Sequence, residues 1–382
     1  MTHGVLIRSL VALGAAASIA GCQCRSDVDY VALAPPAPLD ADHGQWLSMD
    51  VAPDGRLITS YYNRDRGALG FAIGETRDGD QVWWTHEKVD GYPDDQGLDP
   101  GDRGTHTSIA AVDNGDVWVA YHDVSNGTLR AALRQGGLWT NELADAGTGL
   151  EPKPGEWASL ALDADNNPVI AHHDGSRGTL RISRRTGENE WASETVREGA
   201  EGIDAEGNTI PANTGMYANL VIFDGTEYIT YHDAVAGTLE LLEGTPGNYT
   251  HTVIDSGGVG AWPTLWTNGT EMEIAYHDVA NQDLKIARRS GGGWQTATVD
   301  ADEYVGADTA IFHDSEGTGI VYFDGQNNDM RVARASGDGF TTETIGGEEQ
   351  ALGYHNEVAF TRGRWYVASY DYTNRSLFAR PL

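Results

Sequence analysis

Apolar residues in this chain gather in short runs, separated by turns rich in Gly, Asn and Asp. Runs of Val, Ile, Ala, Trp and Leu bounded by such turns predict β-strands covered on both faces. No stretch combines helical periodicity with capping residues, so no helix is expected. One phrase recurs: an apolar strand ending in Tyr-His-Asp, a short turn, then a Leu-centred strand ending in Arg. It stands at Tyr121-His122-Asp123 with Leu129 and Arg134, and at His172-His173-Asp174 with Leu180 and Arg184. It returns at Tyr231-His232-Asp233 with Leu239, and at Tyr276-His277-Asp278 with Leu284 and Arg288. Weaker copies are Tyr61-Tyr62-Asn63, Tyr322-Phe323-Asp324 and Tyr370-Asp371-Tyr372. The seven copies begin 45 to 60 residues apart.

Each copy carries four strands; in the second they are expected over residues 108–112, 116–123, 128–134 and 138–144. Asp113-Asn114-Gly115, Asn126-Gly127 and Gly136-Gly137 between them suit tight hairpins, because Gly and Asn tolerate positive φ. A lone four-stranded unit cannot bury both faces, whereas radially stacked units cover one another. The expected fold is therefore all-β: a seven-bladed β-propeller of four-stranded antiparallel blades. The last copy has only three strands before Leu382. Residues 27–33 (DVDYVAL) are expected to supply the fourth and close the ring, removing an open edge. The layout resembles NHL-type propeller repeats, which also place Asp-Gly, an apolar strand and Asn-x-x-Leu in series. That resemblance covers residues 45–380, concerns architecture, and names no activity. The Asp boxes of sialidases and the Trp-Asp ending of WD40 blades are absent from the sequence.

The first residues follow a different pattern. Arg8 precedes an apolar run over residues 10–20, which ends in Ile19-Ala20-Gly21-Cys22. The run is too short to span a bilayer as a mature helix. Its end resembles the lipobox of bacterial lipoproteins; an ordinary secretory signal with a chance cysteine is the alternative. The resemblance implies cleavage before Cys22, lipid on its thiol and amino group, and, with Gln23 rather than Asp following, the outer membrane. Several acyl chains at ~0.8 kcal/mol per buried CH₂ would make such an anchor nearly permanent. The expected organisation is a signal peptide (1–21), an anchor, closing strand and linker (22–44), and the propeller (45–382). With Cys22 lipidated, Cys24 has no partner for a disulfide within one chain.

Charge narrows the partners. Against 57 acidic residues stand 25 basic ones, for a formal net charge of −32. Such a surface repels nucleic acid and anionic lipid, so neither is an expected partner, and a monomer is expected.

Two columns of residues fall on the face where the blade-connecting loops lie. The first is the Tyr-His-Asp triplet with its imidazoles His122, His173, His232 and His277. A structural reading gives the Asp a turn to cap, the Tyr an interblade packing place and the His a bond to the next blade. A functional reading gives four imidazoles able to bind a metal or titrate near neutrality. The second column lies 14 or 15 residues earlier and reads Trp46, His106, Trp157, Tyr217, Trp262, Asp308 and His355. Its variation from blade to blade marks it as a ligand-binding candidate. Trp157, Tyr217 and Trp262 form an aromatic arc; Asp308, His355 and His106 form a polar arc interrupted by Trp46. Such a pair of arcs suits a sugar or a cationic group, or the side chains plug the channel.

No cofactor is expected. A calcium or other divalent ion on the acidic loop 91–104 (Asp94, Asp95, Asp99, Asp102) has no motif behind it. The nucleophile elbow, His-Glu-x-x-His and phosphate-loop patterns are absent from the sequence. Three functions stay open. The first is an envelope lipoprotein whose propeller face binds a glycan or a protein partner. The second is a carbohydrate-active enzyme similar to propeller polysaccharide lyases, with His and Tyr as base and acid and Arg103 or Arg364 nearby. The third is a scaffold in an envelope complex.

Overall fold

A computed structural model describes residues 42–76, 81–93, 96–148, 151–291, 293–347 and 349–382. The described residues form strands and turns without a helix, so no helix is long and apolar enough to cross a membrane. The strands make seven blades. Blade 1 holds β1 (His43–Val51), β2 (Leu57–Asn63), β3 (Ala68–Thr76) and β4 (Val82–Asp90). Blade 2 holds β5 (Arg103–Ala111), β6 (Val117–Asp123), β7 (Thr128–Gln135) and β8 (Leu138–Asp145). Blade 3 holds β9 (Pro154–Leu162), β10 (Pro168–Asp174), β11 (Thr179–Gly187) and β12 (Glu190–Glu198). A small hairpin, β13 (Gly202–Ile203) and β14 (Thr209–Ile210), rises from the connection to blade 4. Blade 4 holds β15 (Thr214–Phe223), β16 (Thr226–Asp233), β17 (Thr238–Thr245) and β18 (Asn248–Ser256). Blade 5 holds β19 (Val259–Thr267), β20 (Met272–Asp278), β21 (Asp283–Ser290) and β22 (Gly293–Asp300). Blade 6 holds β23 (Val305–Asp314), β24 (Gly317–Asp324), β25 (Asp329–Ser336) and β26 (Gly339–Gly346). Blade 7 holds β27 (Tyr354–Thr361), β28 (Arg364–Asp371) and β29 (Ser376–Pro381), three strands among the described residues. The closing segment 27–33 and the lipidation candidate Cys22 lie outside the described residues.

The continuous apolar runs are explained by burial. Every residue of β2, β6 and β10 is buried, whereas outer strands such as β4 alternate with exposed positions. The core is divided into seven clusters, one at each blade interface. Ile58, Leu69 and Phe71 of blade 1 pack on Ile109, Val119 and Tyr121 of blade 2. Leu47, Met49 and Tyr61 of blade 1 pack on Ala359, Tyr366 and Ala368 of blade 7, which closes the ring. A fully buried aliphatic side chain contributes about 1.5–3 kcal/mol, so each interface is strong only because many meet there.

Polar groups lace the innermost strands together. Ser48 Oγ accepts the Ile109 N–H, Ser108 Oγ that of Leu160, Ser159 Oγ that of Leu220 and Asn219 Oδ1 that of Leu265. Each bond crosses from one blade to the next and satisfies a buried donor that strand pairing leaves over.

Two sequence expectations shift by register. The inner strand of blade 2 begins at Arg103, not at residue 108, because Gly104 and His106 read as loop yet lie within the strand. The seventh triplet is Ser369-Tyr370-Asp371: Tyr370 pairs with Leu377 as His122 pairs with Leu129, so Asp371 takes the place of Asp123. Two tyrosines flank Asp371, and pairing alone decides which belongs to the repeat.

Candidate functional site: the channel cup

The seven residues of the varying column share one backbone conformation. Trp46, His106, Trp157, Tyr217, Trp262, Asp308 and His355 all have φ between 48° and 55°. Each sits in a bulge of the innermost strand. Trp46 and Leu47 together oppose a single residue of β2, between the pairs Gln45↔Tyr62 and Ser48↔Ser60. The extra residue turns its side chain into the channel. Left-handed backbone costs a non-glycine residue of order 1–3 kcal/mol. The surrounding ring must impose it seven times over.

The means of imposing it is a glycine two positions earlier: Gly44, Gly104, Gly155, Gly215, Gly260, Gly306 and Gly353. A Cβ at Gly260 would lie 2.6 Å from Leu239 Cα, and one at Gly104 would lie 2.7 Å from Leu69 Cα. The glycine thus lets each inner strand press on the preceding blade's third strand, at the Leu that marks the repeat or, for Gly353, beside Asp329 and Met330. This Gly-x-ring pattern was present in the sequence and is the signal that sequence reasoning missed.

Six of the seven neighbouring pairs in the ring approach closely. Ring centroids of Trp46 lie 3.9 Å from His106 and 4.8 Å from His355. His106 is 5.1 Å from Trp157, Trp157 is 5.1 Å from Tyr217, and Tyr217 is 4.6 Å from Trp262. Asp308 Oδ1 stands 3.8 Å from His355 Nδ1. The aromatic arc and the polar arc therefore meet in one cup, with Trp46 between two imidazoles. The throat has about 40 Å³ of water-sized space, room for a few waters and not for a sugar ring. The aromatic rings are half-buried and line the cup.

Burial sets the electrostatics of the polar arc. It pushes the His106 imidazole well below its usual range, with the nearby His122 and His355 adding to the effect. His355 is also held low by burial, opposed by Asp308. Burial raises the Asp308 carboxyl, again opposed by His355. The Tyr217 hydroxyl is pushed up to about 12 by burial. His106 Nδ1 and Asp308 Oδ1 are buried without a hydrogen-bond partner among the described residues.

The triplet column stands directly behind the cup. His122 lies 6.4 Å from His106, His173 5.3 Å from Trp157, His232 6.4 Å from Tyr217 and His277 5.7 Å from Trp262. Their Nδ1 atoms are engaged: His122 with the Pro154 carbonyl, His232 with that of Thr238, His277 with that of Val305, and His173 with Glu156 Oε2. Burial lowers the imidazoles of His122, His232 and His277, so each is a neutral donor at pH 7. The triplet Asp caps the following turn, as when Asp123 Oδ1 accepts the Asn126 N–H and Asp233 Oδ1 that of Ala236. In three blades the triplet Tyr reaches an acid of the preceding blade's outer strand, Tyr121 to Asp90, Tyr276 to Asp255 and Tyr322 to Asp300, whereas Tyr231 reaches Glu240 and Tyr61 meets His86 within their own blades. Arg103 is engaged by Asp90 and Asp123. Among the described residues no group of three or more His, Cys, Asp or Glu could hold a metal ion. Asp94 and Asp95 lie outside the described residues.

No protein-family model matches the chain, and no curated protein matches it by sequence. Solved structures match the fold. SapL1 lectin in complex with alpha methyl fucoside shares 11% identity at a TM-score of 0.50, over 78% of this chain and 94% of the lectin. A fucose-specific lectin from Aleuria aurantia shares 13% identity at a TM-score of 0.45, over 80% and 96%. A leech intramolecular trans-sialidase shares 9% identity at a TM-score of 0.46, over 88% and 68%. At such identities the likeness concerns the fold alone, and a fold of this kind hosts unrelated functions. On its blades, its seven interblade cores and the match at a TM-score of 0.50, the chain is a seven-bladed β-propeller.

Proposed function

We propose that the protein is a lipid-anchored envelope module that binds a glycan on its channel cup. One observation carries this reading: all seven bulge residues project into a single cup whose chemistry is divided into arcs. Trp157, Tyr217 and Trp262 offer π faces, while Asp308, His355 and His106 offer hydrogen-bonding groups on the opposite side. A pyranose has that same division, an apolar C–H face and a polar rim. Because the throat is narrow, the sugar rests on the rims of the rings rather than inside.

A second reading is favoured by Asp308. Its Oδ1 is buried without a hydrogen-bond donor, so a cationic group drawn in by the acidic surface would gain a carboxylate and several aromatic faces at once. The two readings share a site and differ in ligand. Titration calorimetry of the chain against methyl α-fucoside, neutral and acidic oligosaccharides, and choline separates them. Saturable heat with a sugar, abolished in Trp157→Ala and in Trp262→Ala while each stays folded, supports the glycan. Heat with choline alone, lost in Asp308→Asn, transfers the site to cations. Silence across the panel makes the cup a channel plug.

A further inference from the structure

Asp308 is the one acidic member of the seven-residue ring, and its place in the fold does not call for a charge. The other six blades set Trp, Tyr or His in the same bulge at nearly the same φ. The Asp308 carboxyl accepts a hydrogen bond from the His355 backbone. Its Oδ1 is nevertheless buried without a donor, in a residue only 7% exposed. His355 Nδ1, at 3.8 Å, stands beyond hydrogen-bond reach. Leaving such an acceptor unmet costs about 1–3 kcal/mol, and a ligand that brings the donor recovers it.

We propose, resting on the glycan reading of the cup, that it takes a pyranose carrying a free primary ammonium group, a glucosamine-type unit. The sugar ring lies on the aromatic arc, and the ammonium enters the throat against Asp308 Oδ1.

Size is the first support. The throat's water-sized space of about 40 Å³ excludes a pyranose ring but admits an ammonium group. A ring resting on the rims of Trp157, Tyr217 and Trp262 therefore reaches the carboxylate through a small substituent.

Donor chemistry is the second. An ammonium brings three N–H donors and a full positive charge, so its bond to a carboxylate is roughly twice as strong as that of a neutral hydroxyl. An N-acetyl group is bulkier and carries no charge. Choline carries charge but no N–H, so Oδ1 would stay without a donor. A plain alkylamine supplies the N–H but leaves the indole and phenol faces uncovered.

Charge is the third. Among the described residues no lysine or arginine lines the cup. Burial keeps the His106 and His355 imidazoles neutral at pH 7, so neither repels a cation. The formal net charge of −32 adds long-range attraction for cations. A uronic or sialic acid would set carboxylate against carboxylate with no cation between them.

Titration calorimetry on the full chain at about pH 6.5, where an amine of this kind holds its proton, tests the assignment. The ligands are the methyl glycosides of glucosamine, N-acetylglucosamine, glucose and glucuronic acid, with choline and butylamine as cations without a sugar. The glucosamine glycoside should bind at least about tenfold tighter than every other compound. Asp308→Asn should cut its preference over the glucose glycoside to less than about twofold. Equal affinity for the glucosamine glycoside and another glycoside, tighter binding of the glucuronide, or a preference that survives Asp308→Asn overturns the ammonium assignment and leaves the glycan reading standing. Butylamine or choline binding as tightly as the glucosamine glycoside overturns both, since the sugar ring then adds nothing. Silence from every compound also overturns both. The glycoside comparison on the parent chain decides by itself should the variant fail to fold.

Discussion

The Tyr370 hydroxyl donates a 2.5 Å hydrogen bond to Asp42 Oδ1, across 328 residues of sequence. The same contact joins blades 1 and 2, where Tyr62 donates to Asp102 Oδ1 at 2.9 Å. Blade 7 therefore meets blade 1 as blade 1 meets blade 2. Tyr370→Phe leaves a buried carboxylate short of a donor, which costs about 1–3 kcal/mol. Urea unfolding should show that loss with an unchanged slope, and Arg375, at 3.2 Å from Asp42, keeps it from being larger.

The glycine column is tested by a matched pair. Gly260 and Gly115 both have positive φ, 102° and 93°, but a Cβ meets Leu239 at 2.6 Å in the first and nothing within 4 Å in the second. Gly115→Ala should cost about 1 kcal/mol, the backbone penalty alone. Gly260→Ala should cost several times more, because a packed strand must move. Equal losses in thermal unfolding would show that contact with the neighbouring blade is not what selects glycine.

His172 stands where five other blades carry Tyr and blade 7 carries Ser369, fully buried, with Nε2 3.0 Å from Ser183 Oγ. Burial pushes its imidazole down to about 4, against an ordinary value of 6.5. The folded state therefore binds fewer protons than the unfolded state between those values. Stability is full above pH 6.5 and falls as pH drops from 6.5 towards 4. His172→Tyr, with a hydroxyl able to reach Asp145 as Tyr121 reaches Asp90, should flatten that part of the stability profile.

Asp308 has the opposite sign. Its carboxyl is raised by burial, so its charge opposes folding above the ordinary carboxylate range. Asp308→Asn should raise the melting temperature at pH 7.5, and the gain should vanish as the pH falls through the acid range where Asp308 protonates. A neutral or lower melting temperature at pH 7.5 would mean that His355 more than offsets the burial cost.

The blade count and the cup were legible because turns and strand ends repeat with their chemistry. The varying column stood out by its fixed offset from the Tyr-His-Asp phrase. Gly44 and its six counterparts did not, since 48 glycines hide any seven of them, and their meaning depends on a leucine one blade away. The partners of His122, His232 and His277 were illegible for another reason: backbone carbonyls carry no side-chain signature.

The bulge ring also separates what the backbone needs from what the cup displays. Glycine and the interblade bonds set the turn at Trp46, Asp308 and His355 alike, and three unlike side chains occupy it. Each blade is a socket that accepts an interchangeable fitting. A lineage could re-equip this channel one blade at a time, trading Trp for Asp or His, without re-solving its fold.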